Sequence, residues 1–384
     1  LINLSFIMRN DFVLLAGLAV AAMSACTENE VILPVSGESQ VSFLPLATTA
    51  TKASPITKYE TTTGDFKVFA WYQKTDVNGG HFSPENNTNT LEPKNYTLYM
   101  NGIICKYSEG DKNAEDAGEG AWMPTDGAGN FVNYYWPKNG KLTFSAYYPA
   151  SEKLSVDAIK GITVTNYTVE DATKQVDLMF SNRAFDKTSS NYFDNENGNK
   201  LYDGVDIVFN HALSAADFKI KLAKDYGEKS IKVQKIEIVK AFCKGNFAEG
   251  YTTGKESDSP VAGWRNQSEQ KDSYVVFSGS AAPSTTASAV GETCILLPQN
   301  FSDDVKVVVT YSIYFKDGAA DKWLQQTAEF PLKGTKNSDG DSEITGWEMG
   351  KWYHYTFTFT LDQIYFAPSV SDWKDVIVKD FEVK

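Results

Sequence analysis

Histidine, cysteine and carboxylate side chains are the groups that could give this 384-residue chain a chemical activity. The three histidines, His81, His211 and His354, lie far apart, and none has a partner at the spacing of a metal site. The sequence motifs of serine hydrolases, zinc proteases, P-loop enzymes and dinucleotide-binding enzymes do not occur. His211 follows an alternating apolar segment, where an imidazole most often fixes a turn. The sequence therefore predicts no enzyme activity, no cofactor and no metal centre.

Cys26 is the cysteine whose neighbours predict a chemical role. The apolar run Phe12–Ala22 has 11 residues and follows Arg9; it is too short for a membrane span of roughly 20 residues and is typical of a signal peptide. Small residues then lead into Cys26, and Met23–Cys26 resembles a bacterial lipobox. We therefore expect residues 1–25 to be a signal peptide and Cys26 to be the lipidated first residue of an outer-membrane lipoprotein.

Three further cysteines and two acidic segments leave alternatives open. One disulfide could join two of Cys105, Cys243 and Cys294, although the spacing selects no pair. Buried unpaired thiols are favoured because Cys105 and Cys294 lie in apolar segments. The oxygen-rich segments Asp194–Asn199 and Asn337–Glu343 could bind calcium, but neither has the spacing of an EF-hand, so solvated loops are favoured.

The elements that must position these residues are predicted to be β-strands. The chain contains 20 Tyr, 23 Phe and 8 Trp, which favour strand over helix, and no helical stripe of apolar residues runs longer than about two turns. The formal net charge is -13. A field of that sign repels phosphate backbones and anionic lipid surfaces, so nucleic acid is not expected as a partner.

Five segments carry the strongest strand patterns. In Tyr353–Leu361 the odd positions are aromatic or apolar and the even ones are His or Thr, which predicts a half-buried strand, and Val305–Phe315 alternates in the same way. Gly64–Tyr72 is apolar on both faces and predicts a central strand. The apolar parity changes within Ile231–Ile238, which predicts a β-bulge. Gly204–Leu222 alternates on both sides of a turn and predicts a pair of strands.

Several of these segments resemble the fimbrillin-like proteins, the type V pilins of Bacteroidales. The Trp-rich turn, aromatic strand and Trp-closed ending of Gly346–Trp373 are similar to the C-terminal signature of that family. Phe209–Ser214, FNHALS, resembles the start of its second domain. The resemblance implies an all-β fold with two transthyretin-like β-sandwich domains in tandem after a lipoprotein signal peptide. We expect a lipidated segment with the first strand at 26–55, an N-terminal sandwich at 56–195 and a C-terminal sandwich at 196–384.

The resemblance also implies a mode of assembly. In this family a protease cuts after a basic residue in a Thr-rich stretch and releases the first strand, and a strand from a neighbouring subunit fills the groove. Here the first strand is Gln40–Leu46, Lys52 is the candidate cleavage residue, and Asp375–Lys384 is the candidate donor strand. Three apolar residues of that donor share a face: Ile377, Phe381 and Val383.

The implied function is that of a structural subunit of a cell-surface fimbria. Its expected partners are other fimbrial subunits, the outer membrane through the lipid anchor, and host or bacterial surface ligands in adhesion. A surface glycan-binding lipoprotein is the alternative, in which Trp122, Trp264 or Trp323 would lie in loops and stack on sugars. The missing motifs disfavour a hydrolase.

Overall fold

A computed structural model of the chain describes residues 40–47, 57–58, 64–74, 96–109, 120–158, 160–191, 204–227, 230–250, 262–337 and 342–373. These residues all belong to one compact unit. Their regular structure is β-strand, apart from single turns of 3-10 helix at Ala172–Lys174 and Ser189–Asn191. Across the ranges given, no helix is long and apolar enough to cross a membrane. The all-β class predicted from the sequence is confirmed.

The strands before the predicted domain boundary are β1 (Phe43–Ala47), β2 (Thr57–Lys58), β3 (Phe66–Gln73), β4 (Thr97–Ser108), β5 (Ala121–Pro124), β6 (Lys141–Tyr148), β7 (Ser155–Asp157), β8 (Gly161–Thr168), β9 (Met179–Ser181) and β10 (Ala184–Lys187). Those after it are β11 (Val205–His211), β12 (Ser214–Leu222), β13 (Ile231–Val239), β14 (Phe242–Ala248), β15 (Gly263–Gln270), β16 (Tyr274–Ala281), β17 (Ser288–Ala289), β18 (Cys294–Leu296), β19 (Gln299–Asn300), β20 (Lys306–Asp317), β21 (Ala320–Pro331), β22 (Thr335–Lys336), β23 (Glu343–Ile344), β24 (Gly346–Trp347), β25 (Lys351–Phe359) and β26 (Ile364–Asp372).

The largest sheet has nine strands in the order β10-β6-β3-β4-β5-β1-β11-β9, with β2 beside β1. Because β6 also pairs with β9, the strands β6, β3, β4, β5, β1, β11 and β9 close into a ring. Strand β3 lies between β6 and β4 and is buried along its length except at half-buried Lys67. This confirms the prediction that a segment apolar on both faces forms a central strand.

A second core lies between two sheets formed by later strands. The five-stranded sheet β17-β12-β25-β26, with β18 beside β12, faces the four-stranded sheet β16-β13-β20-β21. Their rings meet across the gap, with centroids 5.7 Å apart for Tyr311 and Phe359 and 5.2 Å apart for Phe330 and Phe357. The odd positions of β25 from Tyr353 to Phe359 are buried as predicted, whereas Leu361 falls in the following turn and is 45% exposed.

Two local predictions have different outcomes. The bulge predicted in Ile231–Ile238 is confirmed, since the register of β13 shifts between Val233 and Lys235 against both neighbouring strands. The two strands joined by a short loop that were predicted in Gly204–Leu222 are present as β11 and β12, but they do not pair with each other. Strands β11 and β12 are joined by Ala212 and Leu213 but lie in different sheets, where β11 pairs with β1 and β12 pairs with β25. Both of those partners are distant in sequence, so local alternation could not reveal them.

Pairs of hydrogen-bonded strands join residues on opposite sides of the predicted domain boundary, which lies between residues 195 and 196. Strand β1 pairs in parallel with β11, and β8 pairs antiparallel with β14. The division into two tandem domains stays a prediction, and the two parts share sheets.

Candidate functional site

The first strand, β1, lies between two other strands of the ring. It runs parallel to β11, from Phe43 opposite Val205 to Ala47 opposite Phe209. On its other side Phe43 pairs with Trp122 of β5. The first strand predicted from the sequence is therefore present, and it completes a sheet whose other members come from distant parts of the chain.

Main-chain hydrogen bonds also fix the residues that precede β1. The amide of Val41 donates to the carbonyl of Tyr134 at 2.7 Å, and the amide of Val205 donates to the carbonyl of Ser42 at 2.8 Å. Val41 is fully buried. Removing this segment would leave the carbonyl of half-buried Tyr134 and the amide of buried Val205 without these partners. The loss at Val205 is costly because buried backbone groups are almost always paired.

The side chain of Phe43 fills an aromatic pocket enclosed by the ring of strands. Phe43 is 1% exposed, and its ring meets those of Phe66 and Phe144 edge-on at centroid distances of 6.4 and 5.6 Å. Phe66 in turn contacts Trp122 at 5.2 Å and Phe209 at 5.4 Å. These rings come from five different strands, so the pocket would lose its central side chain if β1 left.

Gly204 permits the close approach of β1 to β11. It has φ +147°, and a Cβ placed on it would lie 2.6 Å from the backbone nitrogen of Phe43 and from the carbonyl carbon and oxygen of Ser42. A side chain at this position would collide with backbone atoms, which cannot rotate away. The groove that holds β1 therefore depends on a glycine at its entrance.

Pro45 marks the point where the strand beside β1 changes. Phe43 is opposite β5, while Leu46 is opposite Lys58 of β2. Proline has no amide hydrogen to donate to a ladder. Pro45 thus occupies the gap between two short partners, where a missing donor costs least.

Two ionisable groups beside the pocket, Cys105 and Tyr99, are held in their neutral forms. Burial, together with the negative charge of Asp65, raises the pKa of the Cys105 thiol well above its usual range. The hydroxyl of Tyr99 donates to the carbonyl of Tyr135 at 2.6 Å, and burial raises the pKa of Tyr99 to about 12. Among the described residues no group of three or more side chains could hold a metal ion. The pocket is suited to an apolar strand, and the raised pKa values leave Cys105 and Tyr99 protonated.

Trp373, the last described residue, lies beside the end of β11. Trp373 lies flat against His211, with ring centroids 4.1 Å apart and planes inclined by 5°. The Trp373 amide donates to the carbonyl of Gly350 at 3.0 Å, and His211 Nδ1 lies 2.7 Å from Asp177 Oδ2. His211 is the last residue of the strand that carries β1. These contacts hold Trp373 in place, two residues before the candidate donor segment Asp375–Lys384 in the sequence.

Most of the site residues predicted from the sequence lie outside the described ranges: Cys26, Lys52, Ile377, Phe381 and Val383. Their roles stay predictions. His81 and the segment Asp194–Asn199 also lie outside them, as do residues 338–341 of the second oxygen-rich segment. His354 is described, with Nδ1 2.9 Å from Asp217 Oδ2.

The other three cysteines, and the three tryptophans of the glycan-binding alternative, lie within the described residues. Three cysteines are buried and unpaired, which confirms the favoured alternative: Cys105, Cys243 and Cys294. The placement of three tryptophans in loops is wrong, because Trp122, Trp264 and Trp323 all lie in strands. Trp122 is buried, the indole of Trp264 donates to the carbonyl of Ala212 at 2.5 Å, and Lys232 covers the ring of Trp323 at 4.3 Å. These rings are occupied by packing within the fold.

Sequence reasoning missed Gly204, Tyr134 and Trp373 as parts of the site. Gly204 precedes an alternating strand, where glycine is common, and its role depends on the approach of β1. Tyr134 contributes a carbonyl, which any residue could supply. The Trp373 position was visible as the end of a family signature, but its contact with His211 was not.

Comparison with known proteins gives a match to one family model and to solved structures of fimbrial proteins. A family model described as fimbrillin-like matches residues 51–373. A fimbrial protein from Bacteroides vulgatus aligns with a TM-score of 0.54 at 16% sequence identity, covering 87% of this chain and 100% of that chain. The tip fimbrial protein Mfa3 from Porphyromonas gingivalis aligns with a TM-score of 0.37 at 8% identity, covering 87% of this chain and 100% of that chain. No curated protein matches the sequence.

Proposed function

Because the chain belongs to the fimbrillin-like family, which supports a role as a fimbrial subunit at the cell surface, we propose that it is a structural subunit of a fimbria, exported as a lipoprotein and assembled by protease-triggered strand exchange. The observation that carries the proposal is the position of β1. A strand of five residues near the start of the chain completes the ring, and its key side chain, Phe43, fills an aromatic pocket.

Losing β1 would create an acceptor for another strand. Strands β5 and β11 would each lose a partner, and the rings of Phe66 and Phe144 would face an empty cavity. Unpaired strand edges and emptied apolar pockets both favour the addition of a new strand. A donor with an alternating apolar face supplies the main-chain bonds and the side chains together.

Strand exchange needs a cleavage site that frees β1 and a donor strand that replaces it. Lys52 follows β1 by five residues, and Asp375–Lys384 follows Trp373. We propose that cleavage after Lys52 frees β1 and that the donor strand of another subunit replaces it. Lipidated Cys26 holds the precursor at the outer membrane until the cut, and the assembled fimbria supports adhesion to host or bacterial surfaces.

The cleavage step is tested by Lys52→Ala, with Lys58→Ala of β2 as the matched control. The first variant accumulates the longer precursor in surface fractions, and the control is processed normally. Mass spectrometry of the mature N-terminus reads the cut directly. Normal processing of Lys52→Ala would assign the cut elsewhere.

The donor is tested by deleting Val376–Lys384 and by Phe381→Asp. The deletion gives a folded monomer that forms no heat-resistant ladders, and Phe381→Asp weakens the polymer because it brings a charge into an apolar pocket. Glu382→Ala, which changes the neighbouring residue of opposite parity, leaves the ladders intact. If the truncated chain still polymerises, the segment is not the donor.

The anchor is tested by Cys26→Ala. The unlipidated variant no longer partitions into detergent, while the protein that retains Cys26 does. Unchanged partitioning would remove the lipid anchor from the proposal.

A further inference from the structure

Three side chains on the outer face of the sheet β17-β12-β25-β26 are arranged as a nucleophile, a general base and a carboxylate that orients the base. We propose that Ser371, activated by His354 and Asp217, is a nucleophilic site that accepts acyl groups from esters. This activity goes beyond the proposed function, because the three residues lie in a different sheet from β1. Its failure would leave the strand-exchange proposal untouched.

Hydrogen bonds join the three side chains in series. His354 Nδ1 lies 2.9 Å from Asp217 Oδ2, and His354 Nε2 lies 3.0 Å from Ser371 Oγ. A carboxylate only accepts hydrogen bonds, so Nδ1 carries the imidazole proton. Nε2 is then the basic nitrogen, and the Ser371 hydroxyl donates to it. This is the order of contacts in Ser-His-Asp sites, which are recognised by geometry and not by sequence position.

The strands hold this arrangement in place. Asp217 of β12 lies directly opposite His354 of β25, and β26, which carries Ser371, pairs with the other side of β25. The next residues in sequence, Phe218 and Tyr355, are buried in the core, where their rings stack with centroids 5.4 Å apart. Strand pairing and core packing therefore fix the imidazole and its carboxylate, as a preorganised site requires. The three residues are 137 and 17 positions apart, so no sequence motif reveals them.

Two buried polar atoms beside His354 have no hydrogen-bond partner in the described part of the chain. One is Oδ1 of Asp217 and the other is the indole nitrogen of Trp352, whose ring centroid lies 5.4 Å from that of His354. Buried polar atoms are almost always paired, and a functional role is one reason for an exception. A network that served only to stabilise the sheet would be expected to satisfy these atoms. The unpaired oxygen of Asp217 leaves its negative charge available to an imidazolium.

The site is accessible from solvent. Ser371 is exposed, and the side chains of His354 and Asp217 are 26% and 22% exposed. The outer face of a sheet is open on all sides, so an ester that projects from a large molecule reaches Oγ as readily as a small one. The substrate class that fits is therefore a short acyl ester, free or carried on a larger molecule.

The edge of β26 supplies a backbone donor for the oxyanion. The Trp373 amide donates to the carbonyl of Gly350, its partner in the ladder of β25 and β26. Hydrogen-bonded and non-hydrogen-bonded pairs alternate in an antiparallel ladder, so the amide of Val370 points away from β25. Among the described strands none pairs with that edge of β26. A donor one residue from Ser371 is thus available where negative charge develops.

The reaction is an acyl transfer. Ser371 Oγ attacks the carbonyl carbon of the ester, its proton passes to His354 Nε2, and an Oγ–C bond forms. The C–O bond to the alcohol then breaks, and the imidazolium gives the proton to the departing alcohol. Water releases the acyl group as an acid by the same route and regenerates the serine. Asp217 is a positioning residue, which orients the imidazole and stabilises its cation.

The test uses the full chain and an alkyl fluorophosphonate probe, which phosphonylates an activated serine with loss of fluoride. Mass spectrometry of the labelled peptide locates the site. We expect labelling of Ser371, and His354→Ala should slow it at least about 100-fold, the low end of what a general base contributes. The matched control is Ser369→Ala, which removes the serine directly opposite His354 and should leave the rate unchanged.

Two measurements separate activation from structural support. Added imidazole should restore part of the labelling rate of His354→Ala. Asp217→Asn should slow labelling more than about tenfold and change the tautomer of His354, which the nitrogen NMR shifts of the imidazole report, because an amide also donates hydrogen bonds.

No labelling of Ser371, or equal labelling of Ser371 and Ser369, would overturn the proposal. An unchanged rate in His354→Ala, or no rescue of that variant when thermal melts show it folded, would do the same. If His354→Ala is unfolded, Asp217→Asn decides: a normal rate with a folded chain refutes the activation of Ser371.

Discussion

Replacing Phe43 by alanine would loosen β1 while leaving its main-chain bonds in place. The ring is 1% exposed and meets Phe66 and Phe144 edge-on. Removing a buried phenylalanine side chain typically costs about 3–5 kcal/mol, including the cavity that it leaves. The loss falls on the docking of β1, because the pocket walls belong to β3 and β6, which pair with each other independently.

Amide hydrogen exchange can measure this loss locally. The Val205 amide donates to Ser42, and the Val41 amide donates to Tyr134, so both exchange when β1 detaches. A loss of 3 kcal/mol is about a 150-fold faster exchange, and 5 kcal/mol is several thousandfold. The matched control is Leu44→Ala, since Leu44 is adjacent, half-buried and on the other face of β1. It should cost about 1 kcal/mol and accelerate exchange by roughly fivefold.

The two variants together show whether the aromatic pocket holds β1 in place. If Phe43→Ala accelerates exchange at Val41 and Val205 no more than Leu44→Ala does, β1 is not held by the aromatic pocket. Uniform acceleration in β25, which pairs with β12 and not with β1, would show that the substitution destabilises the whole unit instead.

Three further predictions concern other parts of the structure. Gly204→Ala should release β1, since its Cβ would lie 2.6 Å from the backbone of Ser42 and Phe43, whereas Gly227→Ala, with positive φ but open space around it, should leave exchange in β1 unchanged; equal effects would show that backbone strain alone matters. Burial raises the pKa of Cys294 to about 12 from an ordinary 9.0, so the folded state keeps a proton that the unfolded chain releases. Its contribution to the free energy of unfolding should be constant below pH 9.0 and fall as the pH rises to about 12; urea titrations across that range check this, and Cys294→Ala should reduce the slope. Glu249→Ala should lower stability by about 3–5 kcal/mol because it strands the buried guanidinium of Arg183, whose Nε lies 3.4 Å from the carboxylate; in thermal melts Asp272→Ala, which removes an exposed partner of Lys240, should leave the midpoint unchanged.

The alternation of apolar and polar residues correctly predicted strands in which neighbouring elements cover one face along its whole length. In β25 the buried positions, Tyr353, Tyr355, Phe357 and Phe359, are the ones that the pattern indicates. The same rule overestimated the burial of Phe315, which is 43% exposed. The pairing of β20 with β13 ends at Ile313, and the hairpin of β20 and β21 continues past it. The extent of a neighbouring strand is a tertiary property, so the alternating sequence could not reveal where burial stops.

The candidate site was predictable only in part, for a related reason. The alternation of Val41 and Phe43 indicated a strand, which Pro45 was expected to confine to an edge or an end of a sheet, whereas β1 lies between β11 and β5. The resemblance supplied its position in an assembly mechanism. The pocket itself draws Phe66, Phe144 and Phe209 from three strands separated by long stretches of chain. Pairing between distant strands, such as Phe43 with Val205, follows from the closure of the whole ring. One sequence without its fold contains no local signal for that closure.

The parallel pairing of β1 with β11 also sets a temporal order for folding. Phe43 and Val205 are separated by 162 positions (205 − 43), so during synthesis β1 emerges long before its partner exists. Contacts over such separations form slowly, because a long loop must close before they repay its lost entropy. The ring is therefore completed late by the strand that was made first. A strand that docks last, onto neighbours that already pair elsewhere, is also one that can be withdrawn with little disturbance to what was built before it.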